Sequence, residues 1–590
     1  MRILFLLFFV ATFSFAQTNR YEISFENAVH HEAKIKANFI DIKSNSVILN
    51  MSRTSPGRYA LHEFAKNVYG LKATNSKGES LKATRPNPYT WEISGHDGTV
   101  NIEYLLFANR GDGTYSQVDE THAHLNIPAT FMYIESLQHR PIEVNFKTPE
   151  GSNWKVATQL KPKNGNTYTA PDLYYFMDSP TELSDFSMKE FELDGKNIRF
   201  ALHHEGTEEE FTEYFNQVKQ IVEQEKQVFG ELPAYDYGEY TFIACYMPNV
   251  SGDGMEHRNS TILTDTESLA NGGMKGNIGP VSHEFFHSWN VERIRPSDLE
   301  PFSFSEANMS GSLWFAEGFT SYYTGLMLCR AEVISSEDYI KGLNGSFNYV
   351  WNSPARAYFN PIEMSYQAPF VDAATSVDPV NRENTFISYY SYGSVLGLAL
   401  DLSLRKKGLN LDDYMKQVWK KYGKIEVSYT IENLQQSLSN YAGAEFSNQF
   451  FDDYIYKSNM PNYLELFKSV GLKMTQDKEK GTFGASVKDG ENSVIIASNP
   501  KIGSPAYKAN LAAGDQITSV DEQPIINSKE WETLMNGKKP GDIVEVGYLR
   551  NGKENKTKLT LTPDSTYTIS IDENADRKAQ QARAVWLATK

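Results

Sequence analysis

Two histidines four residues apart, with a glutamate directly after the first, can do chemistry: His283-Glu284-Phe285-Phe286-His287. On a helix, positions i and i+4 share a face, so both imidazoles reach a single metal ion. Glu284 can then take a proton from an attacking water without occupying a coordination position. A tetrahedral catalytic zinc needs a third protein ligand and one open position. No histidine follows His287, and the only cysteines are Cys245 and Cys329, so a downstream third ligand is narrowed to a carboxylate. Glu317 is the strongest candidate. It is the single acid in the aromatic and apolar stretch 313–323 (LWFAEGFTSYY), which reads as a buried helix. A lone ionised glutamate there is costly unless it is paired or coordinates a metal. Glu300 and Glu306 lie in more polar surroundings. The set predicts one Zn2+ per chain and metal-assisted hydrolysis.

These residues need elements to hold them, and the chain supplies several. Residues 1–16 combine Arg2, an apolar run and Ser14-Phe15-Ala16 before Gln17, the pattern of a secretory signal peptide. No later run reaches the roughly 18 apolar residues a membrane-spanning helix needs, so an exported, soluble, periplasmic or secreted protein is expected. From 17 to 180 the chain reads as a β-sandwich. Alternating runs at 47–51, 89–93 and 99–104 are broken by turn signals such as Ser55-Pro56-Gly57 and Gly111-Asp112-Gly113. His30-His31 and the near pair His122/His124 invite the thought of a second metal, but alternating histidines on a strand read as polar surface. An apolar helical face begins near Glu208 with Phe211, Tyr214, Phe215 and Val218. A catalytic domain is placed at 181–345, with apolar strand 240–247 inside it. A helical region follows at 346–468, with a looped insertion between Ser353 and Asn384. Cys245 and Cys329 sit in apolar runs and are expected as buried free thiols. The formal charge of −17 argues against nucleic acid and anionic membranes as partners.

The run 283–296 (HEFFHSWNVERIRP), followed by LWFAEGFTSYY, resembles the glycyl aminopeptidase family of PDZ-bearing zinc peptidases. That resemblance implies a multidomain α+β fold: an N-terminal β-sandwich, a thermolysin-like catalytic domain, helices and a C-terminal PDZ domain. It also implies roles for two further segments. In Gly252-Asp253-Gly254-Met255-Glu256-His257, related enzymes place a strand beside the metal whose glutamate holds the substrate's free amine. Glu256 thereby becomes the amine anchor, with Gly254 and Met255 beside the substrate. In Ser388-Tyr389-Tyr390-Ser391-Tyr392-Gly393, register places the family's oxyanion-stabilising tyrosine at Tyr390. The family's lysine position is Tyr392 here, so the match is incomplete, and Tyr389 and Tyr392 are alternative donors. The resemblance further implies a preference for N-terminal glycine or alanine.

Near Gly471 the texture returns to strands. Gly481-Thr482-Phe483-Gly484 is similar to the carboxylate-binding loop of a PDZ domain, and 511–517 (LAAGDQI) to a later PDZ motif. A PDZ domain at 469–565 would take a peptide C-terminus by strand addition, and 566–590 reads as a polar tail, expected to fray after about Asp572. Two rival readings stand beside a metallo-aminopeptidase acting on peptides with free N-termini. One is a zinc endopeptidase with PDZ-assisted substrate capture. The other is a non-catalytic peptide-binding protein, against which the intact base Glu284 argues.

Overall fold

The computed structural model describes residues 17–371, 378 and 380–590, so the signal-peptide segment lies outside the described residues. The N-terminal part is β-rich. A seven-stranded sheet runs from Asn19–Asn27 through Thr167–Ala170, with a three-stranded sheet built on Ser46–Asn50 and Thr90–Ser94 beside it. Inward residues alternate along these strands, as in Val100–Phe107, where every second side chain is buried. A four-stranded sheet follows, containing His122–Leu125 and Thr181–Ser184. Its strand Thr181–Ser184 is followed at Ser187 by the first strand of the next sheet.

The catalytic domain is built on a mixed five-stranded sheet. Its order is Ser187–Leu193, Lys196–His204, Glu239–Tyr246, Ser260–Asp265 and the edge strand Asp253–His257. The three central strands are parallel and the two outer ones antiparallel. The helix Glu208–Phe229 packs its apolar face on this sheet, and a reciprocal Thr207/Glu210 capping box satisfies its first free amides. Ile278–Phe286 and Gly318–Arg330 lie in the same core. Helix Ser336–Trp351 crosses the expected boundary at 345/346. The looped insertion contains short helices, Pro361–Ser365 and Ala368–Val371 among them, while residues 372–377 and 379 lie outside the described residues. Tyr389–Lys406, Ile431–Ala442 and Ala444–Phe450 complete the helical region.

The expected helix through 313–323 is interrupted. Leu313–Ala316 and Gly318–Arg330 are separate segments, with Glu317 at the junction. The helix beginning at Tyr389 explains the spot. A Cβ on Gly393 would collide with the Trp314 carbonyl oxygen and lie 2.6 Å from the Gly318 Cα. Only two glycines let these backbones touch, and Glu317 and Tyr390 flank that contact.

Tyr567–Ile571 is a strand and Arg577–Leu587 a helix, the latter against the expected fraying after Asp572. Tyr567–Ile571 pairs with Leu472–Gln476, so this ribbon belongs to the helical core and the PDZ domain is set between its two strands. Arg577–Leu587 forms a helix whose polarity hides one decisive side chain. Trp586 is fully buried, donates to the Tyr322 hydroxyl at 3.0 Å, and offers its carbonyl to Arg330. The PDZ unit has its own core around Ile517, Val546 and Trp531. It also touches the insertion: the Ile502 amide donates to Asn384 Oδ1 at 2.7 Å. No helix among the described residues is long and apolar enough to cross a membrane.

Candidate active site

His283 and His287 project from one face of Ile278–Phe286 and its cap, and their Nε2 atoms lie 3.2 Å apart. Glu317 Oε2 is 3.5 Å from His283 Nε2 and 3.1 Å from His287 Nε2. Ligands about 2.0–2.1 Å from one tetrahedral metal stand about 3.3–3.5 Å apart, so the spacing fits a shared ion. The outer nitrogens set the tautomers. His287 Nδ1 donates to the Asn290 carbonyl at 2.6 Å. His283 Nδ1 faces the Thr324 hydroxyl at 3.1 Å, and that hydroxyl itself donates to the Thr320 carbonyl. Each Nε2 lone pair is thereby left for a metal. Asn290 also donates to the Phe315 and Ala316 carbonyls, tying the turn after the histidine helix to the segment before Glu317.

Charge points the same way. Burial opposes a positive His287, yet Glu317, Glu256 and Glu284 outweigh it and raise its pKa well above the usual value. Burial also disfavours an ionised Glu317, but His287 and His283 overcome it and hold that carboxyl below the usual range. Glu284 is pushed well up, by burial first and by Glu256 and Glu317 next. A pocket that gathers three carboxylates around two imidazoles calls for a cation.

The edge strand Asp253–His257 forms one wall. Glu256 and Glu284 each bring a carboxylate oxygen within 4.8 Å of a His287 ring nitrogen. Gly254 leaves room for the Glu284 carboxylate, which a Cβ there would strike. Met255 is buried, and its sulfur lies beside Gly57, next to the Glu256 carboxylate. Among the three tyrosines, Tyr390 has its ring 5.8 Å from that of His283 and is half-buried. Burial, then Glu317, keep its hydroxyl protonated and able to donate. Tyr389 is buried and stacked on Tyr390, and Tyr392 is fully buried.

Sequence reasoning missed what the N-terminal domain brings. Ser55-Pro56-Gly57 is a turn, as expected, but a turn seated in the active site. Gly57, at φ +81°, would put a Cβ 2.9 Å from Glu256 Oε2. Tyr59 donates to Glu317 Oε1 at 2.7 Å, and burial followed by Glu317 holds that phenol in its protonated form. Arg58 pairs with Asp253, which also accepts from the Gly113 amide at 3.0 Å. These residues lie some 200 positions from the histidines, and no local pattern flags them.

In the PDZ loop, Gly481 and Phe483 are buried, Phe483 packing edge-on to Trp531 at 4.9 Å. The Phe483 side chain belongs to the PDZ core. Thr482 and Gly484 border a cavity of about 520 Å³ shared with Lys501, Asn348 and Asn352.

Family models match three segments: a peptidase M61 N-terminal domain over 20–185, M61 glycyl aminopeptidase over 277–396 and a PDZ domain over 481–561. The middle segment contains His283, Glu284, His287, Glu317 and Tyr390. The chain carries the domains of an M61 glycyl aminopeptidase. The middle segment is thus similar to the catalytic domain of an aminopeptidase, and that family suggests zinc. Its fold matches that of an aminopeptidase N family protein from Idiomarina loihiensis. That match is 23% identical, has a TM-score of 0.85, and covers 97% of this chain and 100% of that one. An M1 zinc metallopeptidase from Deinococcus radiodurans is more distant, at 12% identity and TM-score 0.42, covering 76% and 95%. Two curated relatives match briefly. A probable periplasmic serine endoprotease DegP-like protein of Ectopseudomonas mendocina is 39% identical over 57 residues, 10% of this chain. The periplasmic pH-dependent serine endoprotease DegQ of Escherichia coli is 31% identical over 102 residues, 17% of this chain. The matches span 12% and 21% of those relatives' lengths.

Proposed function

We propose that the protein is an exported zinc aminopeptidase that removes small N-terminal residues, glycine or alanine, from peptides. The observation that carries the reading is the convergence of His283, His287 and Glu317 on one point, with Glu284 and Glu256 at its rim. Zinc, when bound by those three residues, supplies a Lewis acid for the scissile carbonyl and acidifies water. Glu284 takes the proton from the attacking water and passes it to the leaving amine nitrogen. Tyr390 donates its phenolic proton in a hydrogen bond to the oxygen that gains charge. Glu256 holds the substrate ammonium, and a fixed carboxylate there favours a free amino terminus over a continuing chain. Gly57 and the Arg58–Asp253 pair fix the edge strand that carries Glu256. The expected signal peptide and the family name support the export and the specificity.

The test compares a glycyl chromogenic amide with its N-acetylated twin, before and after chelation. Cleavage of the free amine alone, lost with the metal and restored by zinc, is expected. Equal cleavage of both forms would make the enzyme an endopeptidase and remove the anchoring role of Glu256.

A further inference from the structure

A second cluster of metal-binding side chains lies away from the active site, between the two sheets that join the N-terminal and catalytic domains. His122 and Glu182 come from adjacent strands of the N-terminal four-stranded sheet. His203 and Cys245 are direct neighbours on two parallel strands of the catalytic sheet. All four are buried, none more than 5% exposed. Glu182 Oε1 is 3.3 Å from His122 Nδ1 and 3.4 Å from His203 Nδ1. Cys245 Sγ is 3.6 Å from each of those same nitrogens. Every pair of the four ligand atoms lies within 4.8 Å.

From these edges we propose that His122, Glu182, His203 and Cys245 bind a second, structural zinc ion that fastens the N-terminal domain to the catalytic domain. Bonds of about 2.0–2.1 Å to nitrogen and oxygen and about 2.3 Å to sulfur set the edges of a tetrahedron. Those edges are about 3.3–3.5 Å between nitrogen and oxygen and about 3.6 Å between nitrogen and sulfur. The four observed distances fall on them. Hydrogen bonding accounts for Glu182, whose Oε1 can accept from both imidazoles, but with both Nδ1–H groups turned to it the Cys245 thiol proton has no acceptor among these atoms. A mixed nitrogen, sulfur and oxygen set selects zinc over magnesium or calcium. Four protein ligands without an open position make the site structural and not catalytic.

Its surroundings are built to orient the ligands. Asp119 Oδ2 lies 3.5 Å from His122 Nε2, the buried ring nitrogen facing away from the cluster. His124 Nδ1 donates to Glu182 Oε2 at 3.0 Å, and its Nε2 donates to the Asp112 carbonyl at 3.0 Å. Asp112 precedes Gly113, whose amide holds Asp253 on the edge strand of the active site. The staple thus reaches the substrate wall through four residues. His122 and His124 are therefore interior residues, against the polar-surface reading of their alternation, because the catalytic sheet covers their strand.

The full chain, loaded with zinc and dialysed against metal-free buffer, tests this by metal analysis per chain. Two zinc ions are expected in the wild type and one in a His283→Ala/His287→Ala variant. X-ray absorption of that variant is expected to show one sulfur scatterer at about 2.3 Å, which the active-site ligands cannot supply. Cys245→Ser is expected to lose that sulfur signal; if it does not fold, the absorption spectrum of the His283→Ala/His287→Ala variant decides alone. A single zinc in the wild type, absent from the double variant, would overturn the proposal. A second zinc without sulfur would overturn the ligand set.

Discussion

Replacing Tyr59 by phenylalanine removes one oxygen atom from the active site and leaves the ring that packs edge-on to Tyr389 at 6.2 Å. That oxygen donates to Glu317 Oε1 at 2.7 Å, with both residues buried. A hydrogen bond to a charged group contributes about 1.5–3 kcal/mol, and each 1.4 kcal/mol is about tenfold in affinity. Loss of the bond is therefore expected to weaken zinc binding by about 10–100-fold, the range typical of residues that orient metal ligands. Competition with a calibrated chelator at fixed pH reads the dissociation constant directly, and thermal unfolding checks that the domains stay docked. A dissociation constant within about twofold of wild type would refute the argument that the N-terminal domain tunes the metal. Glu317→Ala in the same assay separates the two premises. It is expected to lower zinc content outright, and unchanged stoichiometry would remove Glu317 as a ligand.

Three further outcomes are expected. Glu284→Gln keeps its zinc but loses turnover by about 10²–10⁴-fold, measured as kcat on the glycyl amide; near-wild-type kcat would end its role as the base. Gly393→Ala drives a Cβ into the Trp314 carbonyl, a backbone atom that cannot rotate away. It should cost about 1–3 kcal/mol of stability and lower activity with it, since Glu317 and Tyr390 flank the contact. A denaturant midpoint equal to wild type would show that the helices separate freely. Trp586→Ala leaves a void against Tyr322 and Tyr339 and is expected to destabilise the protein by about 3–5 kcal/mol. Calorimetry would contradict this if the unfolding temperature stayed unchanged.

What could be read in advance was local. The histidine pair and Glu284 sit within one helical turn and a half, so chain geometry alone relates them. Glu317 followed from scarcity of other ligands, and its burial from the aromatics around it. Tyr59 and Gly57 could not be found this way. Their role depends on how one domain lies on another, and a turn signal says only that the chain reverses. His122 and His124 show the same limit, since alternation gives the face of a strand but not what covers it. Arg577–Leu587 misled through composition. One tryptophan at the right position outweighs a majority of polar neighbours.

The paired strands Leu472–Gln476 and Tyr567–Ile571 have a mechanical consequence. Helix Ser336–Trp351 grips this ribbon, as Asn344 Oδ1 accepts the Ile569 amide at 2.7 Å and Asn348 Oδ1 that of Tyr567 at 2.8 Å. The PDZ unit is therefore clamped at both its entry and its exit, unlike a module on a free tether, whose effective concentration falls off smoothly with linker length. The separation between the PDZ unit and the metal site is fixed by folded structure and not by the length of a linker.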